Sequence, residues 1–199
     1  MGLPILYSYR RCPYAMRARM ALKYAGIAVE VVEISLKEKP AKMLQASPKG
    51  TVPVVITEDS KVIEESLQIM HWALAHNDPD YWLVNDAEGL IADLITENDG
   101  TFKQALDRYK YAIRFPEKSQ ANHRADGEVF LVKLENLLNH HSFLSGEKIG
   151  LADIAIFPFI RQFAGVDAAW FETAPYPKLR AWLKAQVDSD LFLSVMQKI

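Results

Sequence analysis

The fold of this chain is decided by one stretch near its start, Ile5-Leu6-Tyr7-Ser8-Tyr9-Arg10-Arg11-Cys12-Pro13-Tyr14-Ala15. The run up to Tyr9 has the composition of a strand. Pro13 suits the first turn of a helix, where its missing N–H has no intrahelical partner. Cys12, the only cysteine, therefore lies where a strand turns into a helix. A helix N-terminus favours negative charge, which promotes the reactive thiolate form. The stretch predicts a reactive sulfur on a small α/β domain.

Strand and helix patterns alternate over the first 76 residues. The patterns predict strands at residues 5–9, 28–34, 52–57 and 61–63, and helices at 13–25, about 39–46 and 65–76. This order combines a parallel strand pair with a hairpin. It is typical of a thioredoxin-like domain with a four-stranded mixed sheet.

The second part of the chain has helical patterns only. Asn77-Asp78-Pro79-Asp80 breaks the alternation and is the expected linker. Beyond it, apolar residues recur at helical spacing, and Leu151–Ala164 is apolar nearly all round, which indicates a buried central helix. We therefore predict a thioredoxin-like domain at residues 1–77 and an all-helical domain at residues 86–199.

Composition excludes several classes of protein. The 199 residues carry 23 basic and 25 acidic side chains, a net charge of −2, without the basic excess of a nucleic-acid binder. No apolar run approaches the ~20 residues of a membrane span, and the N-terminus does not resemble a signal peptide. One cysteine excludes an internal disulfide framework and a cysteine zinc cluster, and the histidines lack zinc spacing. We expect no metal and a reducing cytoplasmic setting.

The chain resembles the cytosolic glutathione S-transferases, and its first domain is most similar to the Omega class. The resemblance is dense over residues 5–76 and looser over the helical half. It is carried by four motifs in the expected order: Cys12-Pro13-Tyr14-Ala15, Leu36-Lys37-Glu38-Lys39-Pro40, Gly50-Thr51-Val52-Pro53-Val54 and Glu64-Glu65-Ser66.

The resemblance implies a catalytic cysteine and a backbone cradle for glutathione, the co-substrate. Cys12 would be the catalytic residue, and Tyr14 would contribute backbone contacts, line the sulfur pocket or only pack. The peptide bond before Pro53 would be cis. Val52 would then pair with the cysteinyl part of glutathione as an added strand does. From the residues alone, Val52-Pro53 also fits an ordinary edge-strand proline.

Charged and hydroxyl residues are implied for the two ends of glutathione. Ser66 would bind the γ-glutamyl carboxylate at a helix N-terminus, Glu65 would face its ammonium, and Lys39 would meet the glycyl end. The residues alone also fit a capped helix and one more solvated lysine.

The resemblance implies that the helical domain contributes a second-substrate pocket and carries a family folding motif. Candidates for the pocket are Arg108, Tyr111, Phe115 and Trp170, although aromatics at helical spacing also fit a core. The motif lies in Gly146–Pro158, where Gly150 replaces the usual Ser or Thr. Asp153 can still accept the Gly150 N–H.

The reaction we expect is glutathione-dependent thiol transfer, such as deglutathionylation or dehydroascorbate reduction, through a Cys12–glutathione mixed disulfide. One alternative is conjugation of glutathione to electrophiles through a hydroxyl of Tyr7, Ser8 or Tyr9. Another is a non-catalytic interaction module. Two related enzyme classes fit the motif less well. The maleylacetoacetate isomerases carry Ser-Ser-Cys where this chain has Arg10-Arg11-Cys12, and the large glutaredoxins usually carry a second cysteine where this chain has Ala15.

Expected partners are glutathione, a small electrophilic or disulfide substrate and a second copy of the chain in a homodimer, with no nucleic acid and no membrane.

Overall fold

The computed structural model describes residues 2–83 and 89–198, which form two compact units. The first unit contains the residues up to Leu83 together with the segment from Ser189 onward. The second unit lies between these segments in the sequence. The expected start of the helical domain, residue 86, is outside the described residues.

The first unit is the mixed α/β domain that the sequence predicts. Its four strands follow the order β2-β1-β3-β4, with β1 parallel to β2 and antiparallel to β3. Its elements are β1 (Ile5–Ser8), α1 (Pro13–Tyr24), β2 (Glu30–Glu33), α2 (Ala41–Ala46), β3 (Val54–Ile56), β4 (Val62–Ile63) and α3 (Ser66–His76). The third strand begins two residues later than expected because Pro53 has no N–H for the ladder.

Helix α1 is buried along most of its length. Its small and apolar residues Ala15, Ala18 and Leu22 are almost inaccessible to solvent, and the helix packs against α3. Two arginines, Arg17 and Arg19, are buried on the same helix. Buried guanidinium groups require hydrogen-bond acceptors. The acceptors of these two arginines lie at the start of α3, at the end of β1 and in the loop before Cys12.

The last described helix, α10 (Asp190–Val195), belongs to the first unit, whereas the sequence placed residues up to 199 in the helical domain. It packs against α1, and Nη2 of Arg19 donates to Sδ of Met196 at 3.4 Å. The helical pattern of α10 does not differ from that of its neighbours in the chain. Only its tertiary contacts assign it to the first unit.

The regular elements described in the second unit, between residues 89 and 188, are all helical, as the sequence predicts. The long central helix runs from Leu151 to Ala164, and its residues 151–160 are all buried. No helix in the described ranges is long and apolar enough to span a bilayer. The elements are α4 (Leu90–Glu97), a π-helical segment (Asn98–Phe102), α5 (Lys103–Lys110), a 3₁₀ turn (Ala112–Arg114), α6 (Gln120–His140), α7 (Leu151–Ala164), α8 (Ala168–Thr173) and α9 (Pro177–Val187).

The buried carboxylate of Asp153 fixes the start of α7. It accepts the backbone N–H of Gly150 at 3.1 Å. This is the capping-box bond that the sequence predicts without a hydroxyl at residue 150. The carboxylate also accepts the N–H groups of Leu144 (2.8 Å) and Ser145 (3.2 Å) and the indole N–H of Trp182 (2.8 Å). One carboxylate therefore ties the preceding loop and α9 to the central helix.

We predict that Asp153→Ala lowers the free energy of unfolding by roughly 2–5 kcal/mol, because four buried or partly buried N–H groups lose their acceptor. Denaturant unfolding followed by circular dichroism measures the change. Asp167→Ala is the matched control, since Asp167 accepts only the Trp170 N–H at the start of α8 and lies at the surface. We expect a loss of about 1 kcal/mol there. Equal losses in the two variants would contradict the role assigned to Asp153.

Candidate active site

Cys12 is the N-cap residue of α1, as the sequence predicts. Its backbone N–H donates to the Tyr9 carbonyl at 3.0 Å, and its carbonyl accepts the Met16 N–H at 2.9 Å. The side chain is half-buried, and Sγ lies 3.7 Å from the carbonyl oxygen of Val52. The sulfur is therefore held between the N-terminus of a helix and the backbone that precedes β3.

The register of the sheet explains why Val52 reaches Cys12. Because β1 and β3 are antiparallel and Tyr7 faces Val54, the residues just before β3 lie beside the residues that follow β1. The Val52-Pro53 peptide bond is cis, as the resemblance implied. Pro53 is buried and Val52 is partly buried.

Ser66 begins α3 and is held by Arg17 of α1. Its side chain is 4% exposed, and its Oγ accepts Nε–H of Arg17 at 3.0 Å and Nη2–H at 2.9 Å. Arg17 is 1% exposed, and its guanidinium also lies over the Tyr14 ring with 5.1 Å between Cζ and the ring centroid. This contact network joins Tyr14, on the first turn of α1, to the N-terminus of α3.

Glu65 lies at the surface in an ion pair. Nζ of Lys49 is 2.7 Å from Oε1 of Glu65 and 3.0 Å from Oε1 of Glu64. Hydrogen bonds to Glu65 and then Glu64 raise the pKa of Lys49. The Ser47 hydroxyl donates to Glu64 at 2.5 Å. That bond, and then the bond from Lys49, lower the pKa of Glu64. Negative charge is therefore maintained beside the N-terminus of α3.

Lys39 is exposed and reaches the loop that leads to Val52. A Cβ atom at Gly50 would lie 3.2 Å from Nζ of Lys39. Gly50 has a φ of +61°, a left-handed conformation that favours glycine. The structure thus brings Lys39 to the same loop as Val52.

Two of the three residues proposed as alternative hydroxyl activators, Tyr7 and Ser8, are buried. Ser8 is fully buried, and its Oγ accepts Nη1–H of Arg19 at 3.1 Å. Tyr7 is buried in the core of the first unit. Arg19 also donates to the Arg10 carbonyl at 2.9 Å, which anchors the loop before Cys12. Burial lowers the pKa of Arg19, and the negative charge of Glu33 opposes that shift.

The four residues expected for a second-substrate pocket all lie in the helical unit. Arg108 lies over the Phe115 ring at 5.9 Å. Tyr111 is flanked by two basic side chains of its own segment and is 38% exposed. Trp170 packs in an aromatic group with Phe163, Phe171 and Tyr176, beneath the Arg124 guanidinium at 4.3 Å.

Sequence reasoning placed the positive charge of Arg17 near the thiol but did not assign hydrogen-bond contacts to Arg17, Arg19 or Lys49. The signal for the arginines was present, since both interrupt an otherwise small and apolar helix between Ala15 and Leu22. A buried arginine on such a helix implies an acceptor elsewhere in the fold.

Across residues 2–83 and 89–198, no group of three His, Cys, Asp or Glu side chains could hold a metal ion.

Comparisons with known proteins match both units of the chain. The family model described as glutathione S-transferase, N-terminal domain, matches residues 6–81, and that of the C-terminal domain matches residues 118–185. Glutathione S-transferase omega-1 of Mus musculus is 27% identical over 182 residues, which cover 90% of this chain and 75% of that protein.

Two solved structures show the same fold. A glutathione S-transferase from Rhodospirillum rubrum F11 matches with a TM-score of 0.81 at 21% sequence identity. The matched region covers 99% of this chain and 93% of the Rhodospirillum chain. The glutathione transferase URE2P6 from Phanerochaete chrysosporium, in complex with oxidized glutathione, matches with a TM-score of 0.83 at 17% sequence identity. The matched region covers 96% of this chain and 94% of the Phanerochaete chain.

We predict that Cys12 keeps more thiolate character at mildly acidic pH in the folded chain than in the unfolded chain, because it caps a helix N-terminus. Iodoacetamide reports on this one thiol, since the chain has no other cysteine. Between about pH 8.5 and about pH 6, the alkylation rate should fall roughly three- to tenfold less in the folded protein. The same protein in denaturant is the control. Identical pH profiles would contradict the assignment.

Proposed function

The chain belongs to the glutathione S-transferase family, and we propose that it is a cysteine-type member that transfers glutathionyl groups between thiols. The observation that carries this proposal is the position of Cys12 at the start of α1, with Sγ 3.7 Å from the Val52 carbonyl. In this family fold, that arrangement would give the protein its own sulfur nucleophile beside the backbone that precedes β3.

The reaction proceeds by two thiol–disulfide exchanges. The Cys12 thiolate attacks the glutathione sulfur of a mixed disulfide, and the departing thiolate takes a proton from solvent. This step leaves glutathione bonded to Cys12. A second glutathione, as its thiolate, then attacks the glutathione sulfur of that bond. Glutathione disulfide leaves, and the Cys12 thiolate is restored.

The cysteine count supports a single-thiol route. The sequence contains one cysteine, so a disulfide between two cysteines of this chain is not available to resolve the intermediate. Glutathione itself must therefore supply the second thiol. Direct conjugation would require a group that stabilises the glutathione thiolate, whereas Cys12 would compete by forming a disulfide with it.

Glutathione would be held by backbone and side-chain groups of the first unit. We propose that its cysteinyl backbone pairs with Val52, and that its γ-glutamyl carboxylate binds Ser66 at the N-terminus of α3. Tyr14 lies on the first turn of α1, where it can line the sulfur pocket. Lys39 reaches the Gly50 loop and can meet the glycyl carboxylate.

Glu65 would bind the γ-glutamyl ammonium although it already pairs with Lys49. The ion pair uses Oε1 of Glu65, and we propose that Oε2 accepts the ammonium. The helical unit would supply the pocket for the second substrate, with Arg108, Tyr111, Phe115 and Trp170 as candidate lining residues. By family likeness, two copies of the chain would form a homodimer.

A hydroxyl-activated conjugation receives little support from the geometry. Ser8 is buried and already accepts a hydrogen bond from Arg19, and Tyr7 is buried as well. Tyr9 is the partly exposed hydroxyl of this segment. Tyr9→Phe therefore separates the two mechanisms.

We expect Cys12→Ala and Cys12→Ser to lower the reduction of a glutathione mixed disulfide by about a hundredfold or more, because both remove the nucleophile. A coupled assay that follows glutathione disulfide formation measures the loss. Tyr9→Phe is the matched control and should retain near-normal activity.

The same variants also test the competition between the two thiols. If either Cys12 variant gains conjugation of glutathione to an aryl halide, the proposed competition is supported. Undiminished mixed-disulfide reduction by both Cys12 variants would overturn the cysteine mechanism.

A further inference from the structure

We propose that Arg17 is a positioning residue that fixes the Ser66 hydroxyl as a hydrogen-bond donor, and thereby makes the start of α3 selective for an ionised carboxylate. The inference rests on the proposed function, because the carboxylate in question is the γ-glutamyl carboxylate of glutathione. It adds a selectivity mechanism and a residue that the sequence motifs did not assign.

The hydroxyl of Ser66 has a limited hydrogen-bonding capacity. Such a group has two acceptor lone pairs and one donor hydrogen. Ser66 Oγ receives Nε–H and Nη2–H of Arg17, at 3.0 and 2.9 Å. Both lone pairs are therefore directed at the guanidinium. The hydroxyl hydrogen must point away from Arg17, and no acceptor for it occurs among the residues that the structure describes.

A hydroxyl held in this way discriminates between ligand groups. It can donate to an oxygen but has no lone pair left to accept a hydrogen bond. An ionised carboxylate offers only acceptors, whereas an ammonium group offers only donors, which Ser66 could not accept. The first backbone N–H groups of α3 are donors as well, and the helix dipole favours negative charge.

The burial of Arg17 strengthens this effect. Its side chain is 1% exposed, so its positive charge is poorly screened by water, and it lies directly behind the Ser66 hydroxyl. A hydrogen bond that a polarised donor makes to a charged acceptor is stronger than one between neutral groups. The Tyr14 ring lies 5.1 Å from Cζ of Arg17 and restricts the guanidinium from one side.

Lysine cannot reproduce this contact. The Nε and Nη2 groups of arginine form a planar fork that reaches one oxygen with two N–H groups. The ammonium of lysine is a single nitrogen on a flexible stem. It preserves the charge but leaves one lone pair of Ser66 open, so the hydroxyl can again accept a hydrogen bond.

The test compares the binding of two tripeptides by calorimetry. One is glutathione, and the other is 4-aminobutyryl-cysteinyl-glycine, which keeps the amine but lacks the γ-glutamyl carboxylate. The ratio of their affinities measures carboxylate selectivity. The proteins compared are the unaltered chain, Arg17→Met, Arg17→Lys, Ser66→Ala and the double variant of Arg17→Met with Ser66→Ala.

We expect the unaltered chain to prefer glutathione, and Arg17→Met to reduce that preference by roughly tenfold or more. Ser66→Ala should reduce it similarly, and the double variant should lose little more than either single variant, because the two residues act as a unit. Arg19→Met is the control for loss of a buried guanidinium from α1. It should leave the ratio of the two affinities unchanged.

Three results would overturn the inference. These are an unchanged preference in Arg17→Met, strictly additive losses in the double variant, or an equal loss of preference in Arg19→Met. If Arg17→Met does not fold, Arg17→Lys decides, since a full preference in that variant would contradict the requirement for a fork. Absence of glutathione binding to the unaltered chain would instead overturn the proposed function itself. If glutathione binds and only the selectivity prediction fails, the proposed function stands.

Discussion

The burial of α1 against α3 and α10 is the constraint on which the site depends. A helix buried along most of its length cannot leave its polar side chains without partners, and this helix carries Arg17 and Arg19 inside the unit. Arg17 finds Ser66, and Arg19 finds Ser8 and the Arg10 carbonyl. The two arginines thus anchor the start of α3 and the loop before Cys12. The Arg17 bonds support the proposed carboxylate site, whereas the Arg19 bonds support β1 and the loop before the sulfur.

The parts of the site that the sequence predicted are those with local signals. Pro13 marks the helix start and therefore the capping position of Cys12. The antiparallel register of β1 and β3 then brings Val52 to the sulfur. The contact between Arg17 and Ser66 joins residues 49 positions apart. It follows from the packing of α1 on α3, which no local pattern reports. For the same reason, the packing of α10 on the first unit could not be predicted from the sequence.

The helical unit holds its central helix in place through one buried carboxylate. Asp153 gathers four N–H groups from the preceding loop, the helix start and α9. This explains why Gly150 can replace a hydroxyl N-cap residue, since the capping box is only one of several bonds that the carboxylate makes. Family membership follows from both units together. The proposed chemistry instead depends on Cys12 and the residues around it.

The most direct test of the account is a crystal structure of the protein grown with glutathione under mildly oxidising conditions. We predict that the tripeptide lies along Val52, with its γ-glutamyl carboxylate on Ser66 and its sulfur bonded to Sγ of Cys12. A tripeptide bound in this cradle with its sulfur directed away from Cys12, or bound at another place on the chain, would contradict the claim that this cysteine carries the glutathionyl group.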